Sequence, residues 1–181
     1  MATATITPTD IQISAAQLKV GGTDIGSTTG GITFSPTVSV MKIFVDQSSM
    51  PVGHRITQEE CQVTCNLSEF NITKLAAVTP GTTYTLDGSA IKKKLEVGGG
   101  AIATTDYVEL IITPLTDGAA TISTDANMVI TVFKCIPFQQ PQLAFTKDGI
   151  RYVPVVFDAM RDSTKAAGKQ LYIIGDTTAS A

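Results

Sequence analysis

The chain of 181 residues has no tryptophan, one histidine and three cysteines. Charged residues are also scarce, at 16% where an average soluble domain carries about 25%. Each shortage narrows the function. With aromatics at 6%, the chain lacks the exposed ring platforms on which sugars stack. Tyr84, Tyr107, Tyr152 and Tyr172 are scattered through expected strands, as core or rim. The one histidine, His54, restricts metal and acid–base chemistry. Cys61, Cys65 and Cys135 are odd in number and no secretory signal opens the sequence, which predicts reduced thiols made in a cytoplasm. The net charge is −3 and no basic run exceeds Lys92-Lys93-Lys94, so no basic face suits sequence-specific nucleic-acid binding. No apolar run is long enough to span a bilayer as a helix, so no membrane partner is expected.

What is present is apolar and bland. The hydrophobic fraction is 43%, and Thr, Ser, Gly and Ala take the place of charge. Such a surface suits β-structure partly buried against other subunits. The length fits one domain over 1–181, with a flexible arm at about 1–10 and a loose tail at about 176–181. Patterning predicts a mainly β fold: a β-sandwich or barrel-like domain of about ten strands with one short flanking α-helix. A first strand is expected over 11–20, and the glycines from Gly26 to Gly31 read as turns. Further strands are expected near 83–86, 91–97, 107–115, 128–136, 143–146, 150–157 and 171–174. In the strand over 128–136, Val129, Thr131, Phe133 and Cys135 should share a face.

The most regular stretch is Asp24 to Val78. It reads as a turn, a long hairpin and a capped helix. Pro36 interrupts the first strand, which marks an edge or a bulge. Val38 and Val40 then take one face, and Met41, Ile43 and Val45 the other. Both faces are apolar in part, which leaves one sheet face open to a neighbour. The loop Asp46, Gln47, Ser48, Ser49, Met50, Pro51, Val52, Gly53, His54, Arg55 is longer than most hairpin loops. The return strand alternates strictly: Cys61, Val63, Cys65 and Leu67 against Gln62, Thr64 and Asn66. Ser68 is the expected N-cap of a helix of about three turns, with Glu69 in its first turn.

The chain offers little chemistry. Cys61 and Cys65 share a strand face more than about 13 Å apart, beyond disulfide reach. With His54 alone beside them they make no zinc set, so no metal or cofactor is expected. Glu59 and Glu60 face opposite ways on a strand and cannot converge on one bond. Asp158 and Asp162 flank a turn with Arg161. The glycines near Gly30 lack the lysine of a phosphate loop.

Several segments together resemble the tail tube (major tail) proteins of tailed bacteriophages. Asp24-Ile25-Gly26 with Gly30-Gly31-Ile32-Thr33-Phe34 is similar to that family's first turn and strand. Val45-Asp46-Gln47 resembles its hairpin entry, and Leu67-Ser68-Glu69-Phe70 its passage from the return strand into the helix. The run from Val153 to Asp162 resembles its closing strand and turn, while 82–127 adds little. The resemblance implies a non-enzymatic virion protein, made in the host cytoplasm and located in the tail. Its subunits form hexameric rings that stack into a tube, and DNA passes through the lumen as cargo. It also implies tail-tip, tape-measure and terminator proteins as partners. The ring-stacking contact would be the loop Asp46 to Arg55. The shared sheet would use Val38, Val40, Met41, Ile43, Val45, Gln62, Thr64 and Asn66. Two other readings compete: a monomeric adhesin or carbohydrate-binding sandwich, and a hydrolase using Asp46 and His54.

Overall fold

The computed structural model describes residues 15–69, 71–89, 91–98, 103, 106–116, 121–137, 142–143 and 152–179. The expected arm at 1–10, the start of the first strand at 11–14, and the hairpin turn at Lys147-Asp148-Gly149 lie outside these residues.

The protein is mainly β; the described residues form ten strands and one short α-helix. In chain order the strands are β1 (Ala16–Val20), β2 (Thr23–Asp24), β3 (Thr28–Ile43), β4 (Gly53–Leu67), β5 (Thr82–Leu86), β6 (Lys93–Val97), β7 (Val108–Pro114), β8 (Ile130–Pro137), β9 (Val153–Ala159) and β10 (Tyr172–Ile174). Helix α1 (Ile72–Ala77) follows β4. An 8-stranded sheet runs in the order β2-β1-β7-β8-β9-β4-β3, with β10 pairing β8 off that path. Every pairing is antiparallel. β5 and β6 form a separate 2-stranded sheet beside α1.

The sheet curls over a single core. Leu18 and Val20 of β1 join Cys61, Val63, Cys65 and Leu67 of β4 in one apolar cluster, although three strands separate β1 from β4 in the sheet order. Leu110, Ile112, Val132, Cys135, Val153, Val155 and Phe157 complete it from the strands between. Burial of such side chains, at about 25 cal/mol per Å² of apolar surface, is the main source of stability. Phe34 of β3 meets Tyr172 of β10 edge-to-face, with ring centroids 5.0 Å apart. Alternation in β4 is as expected: its odd positions from Cys61 to Leu67 are buried, and Gln62 and Thr64 are exposed.

Several sequence expectations need correction. The glycines at 30 and 31 are not a turn before the strand. They lie within β3 at positive φ of 79° and 81°, where the register jumps from Thr28↔Leu67 to Ile32↔Cys65. They form a bulge, for which left-handed glycines are suited. Pro36 does not interrupt β3: it pairs with Cys61 in an unbroken 16-residue strand. β3 is the outermost strand of the sheet, the position where a proline is tolerated. The helix is 6 residues long and is capped by Asn71, whose Oδ1 accepts from Thr73 N at 2.9 Å. Ser68 instead shares a hydrogen bond with Thr29 through their hydroxyls. Strict alternation also fails in β8. Val108↔Cys135 is followed by Leu110↔Val132, so β8 carries an extra residue. That bulge brings both Val132 and Cys135 into the core, despite their opposite parity.

Candidate assembly interface

The β3–β4 hairpin begins inside the body and leaves it. From Ile32↔Cys65 to Phe34↔Val63 it lies on the core. β4 pairs with β9 only over Gln62 to Leu67. Beyond that, among the described residues, β3 and β4 pair only with each other, from Pro36↔Cys61, where Cys61 is still buried, out to Ile43↔Gly53. At about 3.3 Å per residue this ribbon projects roughly 25 Å. A second bulge lies between Ser39 and Val40, where Ser39 pairs Gln58 and Val40 pairs Ile56. The skipped Thr57 donates its hydroxyl to Ser39 O at 3.1 Å.

Both faces of the ribbon carry exposed apolar residues among polar ones. Val38, Val40 and Ile56 continue the face that carries Ile32 and Phe34, yet Val40 is 52% exposed and Ile56 56%. Met41 and Ile43 occupy the opposite face and are exposed too. At the tip, Phe44, Val45, Met50 and Val52 are exposed, Met50 by 72%. Isolated exposed apolar residues need no explanation, but a contiguous two-faced set marks an interaction surface. A two-stranded ribbon is also only marginally stable alone.

The tip loop is shorter than its sequence suggests. Val52 N donates to Ile43 O at 2.9 Å, and strand pairing resumes at Ile43↔Gly53. Gly53, His54 and Arg55 therefore belong to β4, opposite Ile43, Lys42 and Met41, and Val45 belongs to the loop. Asp46, Gln47, Ser48, Ser49, Met50, Pro51 and Val52 remain in the loop. Ser48 N donates to Val45 O at 3.1 Å, and the Ser48 hydroxyl takes a hydrogen bond from Met50 N at 3.2 Å. Among the described residues no hydrogen bond joins Asp46 to His54, and no group of three metal-ligating side chains occurs. The expected shared-sheet residues fall on two surfaces. Val38, Val40, Met41 and Ile43 lie on the ribbon, while Gln62, Thr64 and Asn66 lie on the sheet's outer face over the body. Asn66 Nδ2 donates to Thr29 O at 3.3 Å, bracing the glycine bulge.

The root of the hairpin is clamped. Ser68 N donates to Ser27 O at 3.0 Å, joining the end of β4 to the start of β3. The Glu69 carboxylate receives Lys74 Nζ of α1, together with the Ser27 N–H at 3.0 Å and the Ser27 hydroxyl at 2.9 Å. The hydrogen bond from Lys74 foremost, then those from Ser27, hold the Glu69 carboxyl down to about 2. Gly26, at φ +80°, packs against this pair. The sequence signal for the clamp was present in Glu69, but its partner is a residue 42 positions away, which local patterning does not disclose.

No protein-family model and no curated protein matches the sequence. Among solved structures, the chain is similar to one from an extracellular contractile injection system, the PVC sheath-tube complex in its extended state. The TM-score is 0.52 and the identity 13%, over 87% of this chain and 96% of that one. At this identity the likeness is one of fold.

Proposed function

We propose that the chain is a non-enzymatic structural subunit of a tail-like tube, folding as one tube-type domain and assembling with itself into stacked hexameric rings. The observation that carries this reading is the β3–β4 ribbon, which stands clear of the body with apolar side chains on both faces. A free monomer has no use for such an element, whereas a ring offers it a neighbour on each side. The likeness to a chain of a sheath-tube complex supports the same reading. In this reading Asp46 to Val52 contact the next ring, and Val38, Val40, Met41 and Ile43 lie against adjacent subunits. Tail-tip, tape-measure and terminator proteins are the further partners, and the tube belongs to a virion tail or a related injection apparatus. DNA passing through the lumen is the cargo in a virion tail, and a low net charge of −3 suits passage without tight binding.

Concentrated protein viewed by negative-stain electron microscopy, at low and high salt, should show rings or tubes of constant bore. A monodisperse monomer under all conditions, with or without added tail proteins, overturns the proposal. Specific glycan binding by that monomer would point to an adhesin instead.

A further inference from the structure

Charge is scarce in this chain, and two places gather it beside exposed aliphatic side chains. The first is the root of the hairpin. Gln62 pairs with Asp158, so Glu60, two residues back, shares the outer face with Asp158. Burial and then the Glu60 charge push the Asp158 carboxyl above its usual range. Among the described residues the ion pairs are Lys74–Glu69 and Lys94–Glu96, so neither Glu60 nor Asp158 has a cation. Met41 and Ile43 continue this face along the ribbon, exposed.

The second place is the tip of the β5–β6 ribbon. Lys92 and Lys93 are exposed there beside Ile91, which is 79% exposed, and Leu86. The nearby Asp87 carboxylate is occupied by the turn itself. It accepts Ile91 N at 2.9 Å, Lys92 N at 3.0 Å and the Ser89 hydroxyl at 2.7 Å. It therefore shapes the turn that presents the lysines. The two places belong to separate sheets. Each combines exposed aliphatic side chains with an excess of one charge: Glu60 and Asp158 at the root, with the cation Arg55 farther out across from Met41, and Lys92 and Lys93 at the tip, against the single Asp87 carboxylate. Two acidic faces repel, and so do two basic tips, so a symmetric pairing of like patches is disfavoured. A contact of tip to root is head-to-tail, and repetition of such a contact generates a ring or a filament.

We propose that the β5–β6 tip of one subunit docks on the outer face of the β3–β4 hairpin root of a second copy, with Lys92 and Lys93 against Glu60 and Asp158, and Leu86 and Ile91 turned along the ribbon toward Met41. This rests on the tube reading and names the contact between subunits. The test is a charge swap in the full chain, using Glu60→Lys, Lys93→Glu and the double variant. Both positions are exposed, so circular dichroism and urea midpoints should match the wild type. Tube yield at low salt, measured by sedimentation and microscopy, should fall at least ~tenfold in each single variant. It should recover to within ~twofold of wild type in the double variant, where the pair is restored in reverse. Single variants that assemble like the wild type overturn the contact, as does a double variant that fails to recover. If the wild type itself never forms rings or tubes, the tube reading falls with it. Wild-type tubes indifferent to the swap remove the contact alone.

Discussion

At the residue scale, burial keeps the three cysteines in their protonated form. Cys61, Cys65 and Cys135 are free and buried in the core. Burial pushes Cys61 up to about 11 and Cys65 up to about 12 from an ordinary 9.0, and Cys135 further still, with Cys61 and Asp158 adding to the last. The thiolate is the reactive form. A disulfide-exchange reagent at pH 8 should label none of the three in native protein and all three in urea. The raised values also set an alkaline limit. The unfolded thiols ionise near pH 9 while the folded ones stay neutral. Their contribution to stability is therefore complete below pH 9 and lost as pH rises through 11 and 12. Urea midpoints measured from pH 8 to 11.5 should fall, and Cys65→Ala should flatten part of that slope. Gly26 is the other informative residue. A Cβ there would lie 2.2 Å from Lys74 Nζ and 2.6 Å from Glu69 Oε2, on a backbone at φ +80°. Gly26→Ala should cost about 1–2 kcal/mol from the backbone alone, and more through the displaced clamp, read as a lower urea midpoint. A thermal scan with an unchanged midpoint would remove the clamp argument.

At the scale of elements, the hairpin is two structures in one chain segment. Its root is core and its distal half is surface, although the sequence pattern runs through both without a break. Val40→Asp and Ile56→Asp should therefore leave the folded subunit within about 0.5 kcal/mol of wild type. Assembly should fall at least ~tenfold, because each places a charge on a face meant for a neighbour. Val155→Ala, on the buried side of β9, should do the opposite and lower stability by about 1–3 kcal/mol before assembly is considered. If the Asp variants unfold the subunit, the ribbon is part of the fold rather than an attachment to it. The expectation of a loop from Asp46 to Arg55 missed by three residues for a definite reason. Gly53, His54 and Arg55 carry turn-like chemistry locally, but cross-strand pairing with Met41, Lys42 and Ile43 recruits them into β4.

For the whole molecule, the sequence disclosed what depends on local period and hid what depends on register. The alternation of Cys61 to Leu67, the β5–β6 hairpin around Asp87, and the mainly β class were all legible, because period-two patterns and turn residues report directly on strands. The glycine bulge at Gly30-Gly31 and the bulge that turns Cys135 inward were not. Each is an adjustment between two strands, and neither strand alone contains it. The candidate interface was partly legible for the same reason. Apolar residues on both faces of 37–45 signalled a partner, but where the ribbon leaves the body follows from the reach of β9, a strand from the far end of the chain.

That reach also orders events during synthesis. β3 and β4 are neighbours in sequence, joined by the loop from Phe44 to Val52, and can pair as soon as they leave the ribosome. Gln62, however, meets Asp158 only after most of the remaining chain has been made. Long-range pairings of this kind are slow to form, and the surfaces they will cover stay open meanwhile. The newborn hairpin thus holds Cys61, Val63 and Cys65 uncovered alongside Val40 and Ile56, one continuous adhesive strip. Only when β7, β8 and β9 arrive and the sheet curls over its core is the inner half sealed, leaving the outer half as the part that still seeks a partner. Completion of the chain is what separates the strip that folds from the strip that joins.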